Sequence, residues 1–462
     1  RGINMSREQA ATLDRQDPLA AFRARYHLPL HNGRECAYFL GNSLGLQPKK
    51  AVEYVEDELA NWGDYAVDGH FHSDRPWISY HRLATRGFAD LTGALAREVI
   101  AMNTLTVNLH ILMASFYRPT PDRYKIVIEK GAFPSDNYAA ASQLRLHGFD
   151  PDTSLLEWSP RDGEALLRTE DLAALLAQEG DSVALLLLPG IQYYTGQVLD
   201  MAAICDLGLR HGCRVGLDLA HAVGNIPLAL HDWAPDFASW CTYKYLNSGP
   251  GAIAGAFVHE RHTSPDQFLH GWWGNDEATR FRMEAPFRPA AGAEAWQMSN
   301  PPILSLAPVI ASLELFAEAG FERLHAKSMR LTGYLRWLIE RRHGDRISTI
   351  TPRDAHGCQL SLVVRDSTLV DNRALFGRLH ELNVIGDWRE PDVIRVAPNS
   401  LAIPKSVSLI RSWSSTRRLA GLLNSFASSR RLRSPPDSTD TGVWQRSGEK
   451  RKSCRWLITW RF

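Results

Sequence analysis

The chain has 462 residues, with 44% hydrophobic and 22% charged residues and a formal net charge of +1 at pH 7. These values are ordinary for a soluble globular protein long enough to form two or more domains. A charge so near zero argues against a general nucleic-acid-binding role, and no apolar run approaches the roughly 20 residues that span a bilayer. Six cysteines without a CxxC pair, and no signal-peptide pattern, predict reduced thiols and a cytoplasmic protein.

The first half of the chain alternates strand-like and helix-like segments. Val99–Met102 and Tyr124–Glu129 have strand character, and an apolar helix is predicted over Val107–Phe116. A second helix should follow Gly131–Asp136 and stop at His147, where a glycine comes next. This alternation is typical of an α/β fold with a mostly parallel sheet.

The next segments continue that pattern. Ser182–Leu188 is continuously apolar, as expected of a strand buried on both faces. A helix is predicted over Asp200–His211, ended by Gly212. The strand-like stretch Cys213–Asp218 then precedes another, which starts near Asp236 and is predicted to end at Tyr243-Lys244.

Beyond residue 305 the character changes to a smaller α+β domain. A long amphipathic helix is indicated by the helical spacing of Phe321, Leu324, Leu331, Leu335 and Leu338. It is followed by a strand over Gln359–Val364, a helix near Asn372–Leu382 and a strand over Asp392–Val396. We therefore predict an N-terminal segment, 1–45, that contributes to the small domain, a large domain, 46–305, and a small C-terminal domain, 306–398.

The last 64 residues differ from the rest. Residues 399–462 hold 13 Lys and Arg against 3 Asp and Glu, which gives +10 and leaves −9 for residues 1–398. Thirteen serines and little sustained periodicity argue against a packed helix over most of this tail. We predict a disordered or frame-shifted segment, and the alternative is a basic interaction tail.

Two polar residues mark a candidate cofactor site. Asp218 and Lys244 lie 26 residues apart, each at the predicted end of a strand, where ligands bind in parallel sheets. A partly buried amine can react with the aldehyde of pyridoxal phosphate, and a carboxylate can pair with its protonated pyridine nitrogen. Singly, Lys244 could be a surface lysine and Asp218 a helix cap. Together, at this spacing, they favour the cofactor.

Neighbouring loops offer further contacts, each with a simpler alternative. Thr104–Thr106 could hold a phosphate at a helix start or be an ordinary N-cap. Phe133 could cover a planar ring, while Ser135 or Asp136 could cap a helix. His221 could touch the cofactor or be a satisfied core residue. The Gly-bounded pair Trp272-Trp273 is more typical of a binding loop than of a core. The sequence contains no metal-ligand spacing, so we predict no metal site.

The chain resembles the kynureninase family over about residues 10 to 398. The resemblance rests on seven motifs: Gly41-Asn-Ser-Leu-Gly45, Phe133-Pro-Ser-Asp136, Tyr194-Thr-Gly-Gln197, Asp218-Leu-Ala-His-Ala-Val-Gly-Asn225, Trp240-Cys-Thr-Tyr-Lys-Tyr-Leu-Asn247, Gly271-Trp-Trp-Gly274 and Ser299-Asn-Pro-Pro302. It implies a fold-type I pyridoxal-phosphate enzyme with the aspartate-aminotransferase architecture. It also implies a homodimer with shared active sites and hydrolysis of L-kynurenine, or its 3-hydroxy form, to an anthranilate and L-alanine in tryptophan catabolism. From the charge and the lengths of the apolar runs we predict no nucleic-acid or membrane partner.

The resemblance also implies roles for single residues. Lys244 would bind the cofactor aldehyde, Asp218 would pair with its ring nitrogen, and Tyr243 would act as an acid. The other implied cofactor contacts are Leu105, Thr106, Phe133, Pro134, Ser135, Asp136, His221, Trp273 and Asn300, the last two from the partner subunit. The implied substrate contacts are Ser43, His70, Asn300 and Arg395, with Arg395 on the carboxylate.

Two departures from the family pattern stand out. Pro189 replaces a hydroxyl residue of some members and has no hydrogen-bonding role, and after Pro398 the usual Leu-Tyr-Asn turn is replaced by Asn399-Ser-Leu-Ala-Ile. The alternatives are another fold-type I enzyme, such as a cysteine desulfurase or small-amino-acid transaminase, and a non-catalytic relative.

Overall fold

The computed structural model describes residues 7–262, 269–365 and 372–398. The basic tail predicted over residues 399–462 lies outside the described residues. Three short strands come first and belong to the N-terminal segment: β1 (Leu30–His31), β2 (Arg34–Glu35) and β3 (Ala37–Tyr38).

Seven strands form the large sheet: β4 (Val99–Ala101), β5 (Lys125–Glu129), β6 (Leu155–Trp158), β7 (Val183–Pro189), β8 (Arg214–Asp218), β9 (Phe237–Trp240) and β10 (Gly255–Val258). Their order is β4-β10-β9-β8-β7-β5-β6, and β10 alone in this sheet runs antiparallel to its neighbours. The predicted mostly parallel sheet is confirmed.

The helices are α1 (Arg7–Arg15), α2 (Lys49–Tyr65), α3 (Gly69–His72), α4 (Thr85–Thr92), α5 (Leu105–Phe116), α6 (Pro134–Leu146), α7 (Pro151–Ser154), α8 (Thr169–Glu179), α9 (Met201–Arg210), α10 (Leu230–Trp233), α11 (Glu277–Arg280), α12 (Ile303–Ala319), α13 (Phe321–His343) and α14 (Asn372–Glu381). No single helix in the described ranges is long and apolar enough to cross a membrane, although α12 and α13 together pass that test as a pair bent by 83°.

Strand β7 shows why the large sheet is buried on both faces. Leu186 and Leu188 pack into a core that includes residues of α9 and α12, whereas Leu185 and Leu187 pack into a second core with residues of α5 and α6. Because side chains alternate along a strand, a continuously apolar segment fills both cores at once.

The C-terminal part forms a smaller antiparallel sheet. Its strands are β11 (Ile347–Thr349), β12 (Leu360–Val364), β14 (Asp387–Arg389) and β15 (Val393–Val396), in the order β11-β12-β15-β14, while β13 (Val384–Ile385) pairs in parallel with β3. This pairing joins the N-terminal segment to the small unit. The domain boundaries after residues 45, 305 and 398 stay predictions.

Two predicted boundaries are wrong. Helix α6 starts at Pro134, although the sequence predicts that it follows Gly131–Asp136. Strand β9 ends at Trp240 rather than at Lys244, and the backbone turns from Cys241 onward. Trp240 pairs with Gly255 of β10, and beyond it the Thr242 hydroxyl donates to the Ile253 carbonyl at 2.6 Å in place of a strand ladder. Lys244 therefore lies in a turn four residues past the strand.

Candidate active site

A cavity of about 310 Å³ opens where β5, β7 and β8 end at Glu129, Pro189 and Asp218. The carboxyl ends of neighbouring parallel strands meet at one edge of a sheet, so side chains distant in sequence converge there. The lining residues are Asn42, Ser43, Thr104, Leu105, Thr106, Glu129, Phe133, Ser135, Asp136, Pro189, Ile191, Tyr193, Asp218, Ala220, His221, Tyr243, Lys244, Arg389 and Arg395.

Lys244 meets two residues from the end of β8 in this cavity. Its Nζ lies 3.1 Å from Nε2 of His221, and Asp218 accepts a hydrogen bond from the Ala220 backbone N–H at 2.7 Å. Burial, followed by the charge of Lys244, lowers the pKa of His221 well below its ordinary value. Burial raises the pKa of Asp218. The amine thus contacts an uncharged imidazole, and a buried carboxyl group lies near enough to be affected by its charge.

Two more carboxyl groups lie on the same wall. Burial and the neighbouring Asp218 raise the pKa of Asp136 well above its ordinary value. Burial also raises the pKa of Glu129 to about 8, with a smaller contribution from Asp218. Because like charges this close cannot all be accommodated in a buried site, this wall suits a ligand that brings positive charge.

The first turns of two helices form another part of the cavity. Helix α5 begins at Leu105 and α6 at Pro134, and the hydroxyls of Thr106 and Ser135 lie 2.8 Å apart. Thr104 occupies the cap position of α5 but makes no side-chain cap bond, and Ser135 and Asp136 lie inside α6, so neither caps it. Helix starts and hydroxyl groups are the kinds of group that bind phosphate in proteins.

The small sheet contributes the cationic side of the cavity. Arg395 on β15 is fully buried, and its Nε donates to Asp387 Oδ2 at 2.7 Å while its Nη1 donates to the Tyr193 carbonyl at 2.7 Å. Arg389 donates to the same Asp387 oxygen at 3.0 Å. Burial lowers the pKa of Arg395, and Asp387 opposes that effect.

The N-terminal segment reaches the cavity through Ser43. The backbone N–H of Gly45 donates to the Tyr243 carbonyl at 2.7 Å, which holds this loop against the Lys244 turn. A Cβ on Gly45 would lie 2.3 Å from the Lys244 carbonyl oxygen, so only glycine permits this approach. The motif Gly41–Gly45 is therefore a close-contact element that brings Ser43 into the site.

Four predicted contacts do not line the cavity within one chain. Pro134 only starts α6. His70 lies on α3 and packs edge-on against Trp77, with the two ring centroids 5.3 Å apart. Trp273 is buried, and its indole nitrogen has no hydrogen-bond partner among the described residues. Asn300 is exposed. The other predicted site residues, Ser43, Leu105, Thr106, Phe133, Ser135, Asp136, Asp218, His221, Tyr243, Lys244 and Arg395, all line it.

The residues present fit pyridoxal phosphate. Two buried atoms of the cavity wall, Asp136 Oδ1 and His221 Nδ1, have no hydrogen-bond partner among the described residues. A polar atom is seldom left unpaired in a protein interior unless a ligand or water completes it. Within the described residues, Nδ1 of His221 is therefore open to a ligand or a water molecule. The cavity also offers an amine, a carboxylate and a hydroxyl-bearing pair of helix starts, which are the groups that an aldehyde, a pyridine nitrogen and a phosphate require.

Sequence reasoning missed Glu129, Tyr193, Asp387 and Arg389. The sequence could have identified Glu129, because a charged residue at the end of an otherwise apolar strand lies at the ligand-binding edge of a parallel sheet. Asp387 and Arg389 alternate along β14 and so share one face of the strand. Their proximity to Arg395 depends on strand pairing that local pattern does not reveal.

Outside the cavity, Glu98, His231 and His259 come close enough to hold a metal ion. Glu98 already accepts hydrogen bonds from the backbone N–H groups of Leu95 and Glu260, both at 2.9 Å, and lies 3.1 Å from the His231 ring. Burial raises the pKa of Glu98, but these hydrogen bonds together outweigh burial, so the pKa lies below its ordinary value. The group is therefore explained as a buried carboxylate held by hydrogen bonds.

Comparison with known proteins gives close relatives. The profile of the kynureninase C-terminal domain matches residues 324–406. A kynureninase of Xanthomonas campestris pv. campestris (strain B100) is 54% identical over 397 residues, which cover 85% of this chain and 93% of that protein. A kynureninase of Stenotrophomonas maltophilia (strain K279a) is 52% identical over 402 residues, covering 86% and 94%.

Solved structures agree on the fold. The cysteine desulfurase CsdA of Escherichia coli superposes with a TM-score of 0.68 at 16% identity, covering 87% of this chain and 98% of that one. The cystine C–S lyase C-DES gives a TM-score of 0.67 at 18% identity, covering 85% and 97%. Another C-DES structure has the same TM-score and identity and covers 85% of this chain and 96% of its own. It holds glycine covalently linked to its PLP cofactor. At such identity the likeness shows the fold alone.

Proposed function

The chain belongs to the kynureninase family, and we propose that the cavity between its two sheets is where L-kynurenine is hydrolysed to anthranilate and L-alanine. It is a pyridoxal-phosphate enzyme that breaks a carbon–carbon bond, as its 54% identity to a kynureninase over 85% of the chain indicates. The observation that carries the assignment to this cavity is its composition. It is lined by Lys244, His221 and Asp218 from the large sheet and by Arg395 from the small sheet.

Each end of the cofactor would find suitable partners in this cavity. When bound, pyridoxal phosphate supplies an aldehyde for an amine and a ring that withdraws electrons from the substrate Cα. Lys244 would hold the aldehyde carbon and Asp218 the ring nitrogen. Thr106 and Ser135, at the two helix starts, would hold the phosphate, and Phe133 would cover the ring.

Proton transfer falls to Lys244 and Tyr243. Lys244 would remove the proton from the substrate Cα, and its neighbour His221, being uncharged, can accept an N–H from it at 3.1 Å. Burial, followed by interaction with Cys241, raises the pKa of Tyr243, so its hydroxyl stays protonated and can return a proton to Cβ. One such group typically contributes on the order of 10²–10⁴ in rate.

Substrate recognition falls to the cationic side of the cavity. Arg395 would hold the α-carboxylate, since a guanidinium offers several parallel N–H groups to a carboxylate. Ser43 lines the cavity from the N-terminal loop, and His70 and Asn300 would complete the substrate contacts. The choice between kynurenine and its 3-hydroxy form depends on the wall around the aryl ring.

We further propose a homodimer with shared active sites in the cytoplasm. Trp273 and Asn300 do not line the cavity of their own chain, which fits contacts made across an interface. Near them lies an exposed aromatic cluster of Phe71, Trp272 and Phe281. The ring centroids of Phe71 and Trp272 lie 6.4 and 5.8 Å from that of Phe281. Exposed apolar patches of this kind mark interaction surfaces.

A cysteine desulfurase activity fits this cavity poorly. Such an enzyme needs a reactive cysteine that reaches the cofactor. In the described ranges the free cysteines are all buried, and none lines the cavity. Burial raises the thiol pKa values of Cys205, Cys213, Cys241 and Cys358. Raised pKa values disfavour the nucleophilic thiolate.

Incubation with L-kynurenine tests the proposal. The protein should release anthranilate, seen by its fluorescence, and equimolar L-alanine, and Lys244→Ala should abolish both. The same assay with 3-hydroxykynurenine gives the substrate preference. A protein that shows a bound-cofactor spectrum but forms no anthranilate would instead be a non-catalytic relative.

A further inference from the structure

Asp387 and Arg395 face each other across the β14–β15 ladder, where they form a register pair. We propose that Asp387 is a positioning residue: it fixes the guanidinium of Arg395 so that its remaining N–H groups point to the substrate carboxylate. This inference rests on the proposed role of Arg395 as the carboxylate-binding residue, and it adds a residue that determines how strongly the enzyme selects an α-carboxylate.

The hydrogen bonds of Arg395 leave a defined set of donors. Its Nε and Nη2 both donate to Asp387 Oδ2, and its Nη1 donates to the Tyr193 carbonyl. A guanidinium has five N–H groups, so after these bonds one remains on each terminal nitrogen. Because Arg395 is fully buried and lines the cavity, these two N–H groups are the ones available to a carboxylate there.

Strand geometry explains why Asp387 can hold this orientation. Residues 387 and 389 lie on one face of β14, and Arg395 lies opposite residue 387 on β15. Arg395 also pairs in register with Ser361 of β12, so its backbone is held on both sides by the sheet. An orientation set by a central strand and a facing carboxylate is more precise than one set by a loop.

The charges of Asp387, Arg389 and Arg395 favour a ligand with one carboxylate. Arg389 and Arg395 share the single carboxylate of Asp387, which leaves one positive charge uncompensated at the cavity wall. The Arg389 side chain is 33% exposed and that of Arg395 is 1% exposed, so water screens Arg389 more. Of the two guanidinium groups, that of Arg395 is therefore the less screened by water.

The experiment compares two ligands that differ only in the α-carboxylate. KM for L-kynurenine and the inhibition constant of kynuramine, its decarboxylated amine, are measured for the holoenzyme and for Asp387→Asn, Asp387→Glu and Arg395→Ala. Both constants are independent of the fraction of enzyme that folds. Asp392→Asn is the matched control, because Asp392 lies in the same hairpin and accepts a 2.8 Å bond from the Tyr194 hydroxyl but does not line the cavity.

We expect Asp387→Asn to raise KM for L-kynurenine about 10- to 100-fold, the range that a misplaced binding group costs, with the kynuramine constant and the cofactor spectrum unchanged. Asp387→Glu should recover part of the loss, and Asp392→Asn should behave as the unaltered protein. Selectivity for the α-carboxylate is the ratio of the kynuramine inhibition constant to KM for L-kynurenine. If this ratio falls in Arg395→Ala but not in Asp387→Asn, the positioning role is refuted while the role of Arg395 stands. A parallel rise in both constants would also refute it. Unchanged selectivity in Arg395→Ala would instead refute the proposed carboxylate site.

Discussion

The Nζ atom of Lys244 lies 3.1 Å from Nε2 of His221, although 23 residues separate them in the chain. His221 follows the end of β8 and Lys244 lies in the turn beyond β9, so the pairing of these adjacent parallel strands brings them together. Burial and the lysine charge keep the imidazole uncharged. The amine thus has a neutral neighbour rather than a carboxylate locked to it as an ion pair.

From this arrangement we expect Lys244 to carry the cofactor covalently. Borohydride reduction of the holoenzyme followed by peptide mapping should place the pyridoxyl group on Lys244, and Lys244→Ala should lower kcat by more than about 100-fold. Lys125, held by Glu179 at 2.7 Å outside the cavity, provides the control Lys125→Ala, which should retain the label and the activity. A label on any other lysine contradicts the assignment.

Removal of Arg395 should weaken substrate binding but not cofactor binding. Arg395→Ala removes a charge-assisted contact to the carboxylate, which typically costs roughly 2–5 kcal/mol, so kcat/KM for L-kynurenine should fall at least about 30-fold. The absorbance of the bound cofactor should persist. Arg353, a surface residue paired with Glu340 at 2.7 Å, gives the control Arg353→Ala. Near-normal kcat/KM in Arg395→Ala would mean that another group holds the carboxylate.

The hydroxyl of Thr106 should contribute to phosphate binding. Thr106→Val removes the hydroxyl at similar volume, and the loss of a hydrogen bond to a charged group costs about 1.5–3 kcal/mol. The dissociation constant of pyridoxal phosphate, measured by reconstitution of the cofactor-free protein, should rise at least about tenfold. Thr153→Val, at an exposed residue whose hydroxyl bonds the Asp150 carbonyl, should bind the cofactor normally. Equal affinities for the two variants would exclude Thr106 from the phosphate site.

Glu129 should make the cofactor-free protein less stable as the pH rises. Its folded pKa of about 8 exceeds its ordinary value of 4.5, so between these two values the folded state keeps a proton that the unfolded state has lost. Its contribution is complete below pH 4.5 and is lost as the pH rises through about 8, with a slope of up to about 1.4 kcal/mol per pH unit.

Glu129→Gln removes this dependence. Relative to the unaltered protein, its free energy of urea unfolding should therefore increase steadily between pH 5 and about pH 8. Glu157→Gln, at an exposed position on the neighbouring strand β6, should follow the unaltered protein at every pH. Parallel curves for Glu129→Gln and the unaltered protein would show that Glu129 ionises normally.

Shared active sites predict complementation between two inactive variants. If Asn300 serves the partner's cavity, Lys244→Ala and Asn300→Ala subunits should form mixed dimers with one intact site each. After dissociation and random reassociation, roughly a quarter of the unaltered activity should return. Two Lys244→Ala preparations treated alike provide the control. If the mixture shows only the sum of the separate activities, the sites are not shared.

The sequence by itself determined the local elements, because their signals are local. The apolar segment of β7, the end of α6 before His147 and the position of Asp218 at the end of β8 follow from side-chain periodicity and helix stop signals. The family motifs identified most of the cavity wall in the same way, since each lies within one short segment. The predicted strand end at Lys244 failed, because a turn held by the Thr242 hydroxyl resembles a strand in composition.

Tertiary structure alone decided which residues meet. The contact between His221 and Lys244 depends on the order of parallel strands, and the contact between Asp387 and Arg395 depends on the register of an antiparallel pair. Neither order nor register is encoded in the composition of one strand, because a shift by a single residue preserves the composition and reverses the face. Burial then changed the chemistry, since the raised pKa of Glu129 arises from the removal of water by neighbours that are distant in the sequence.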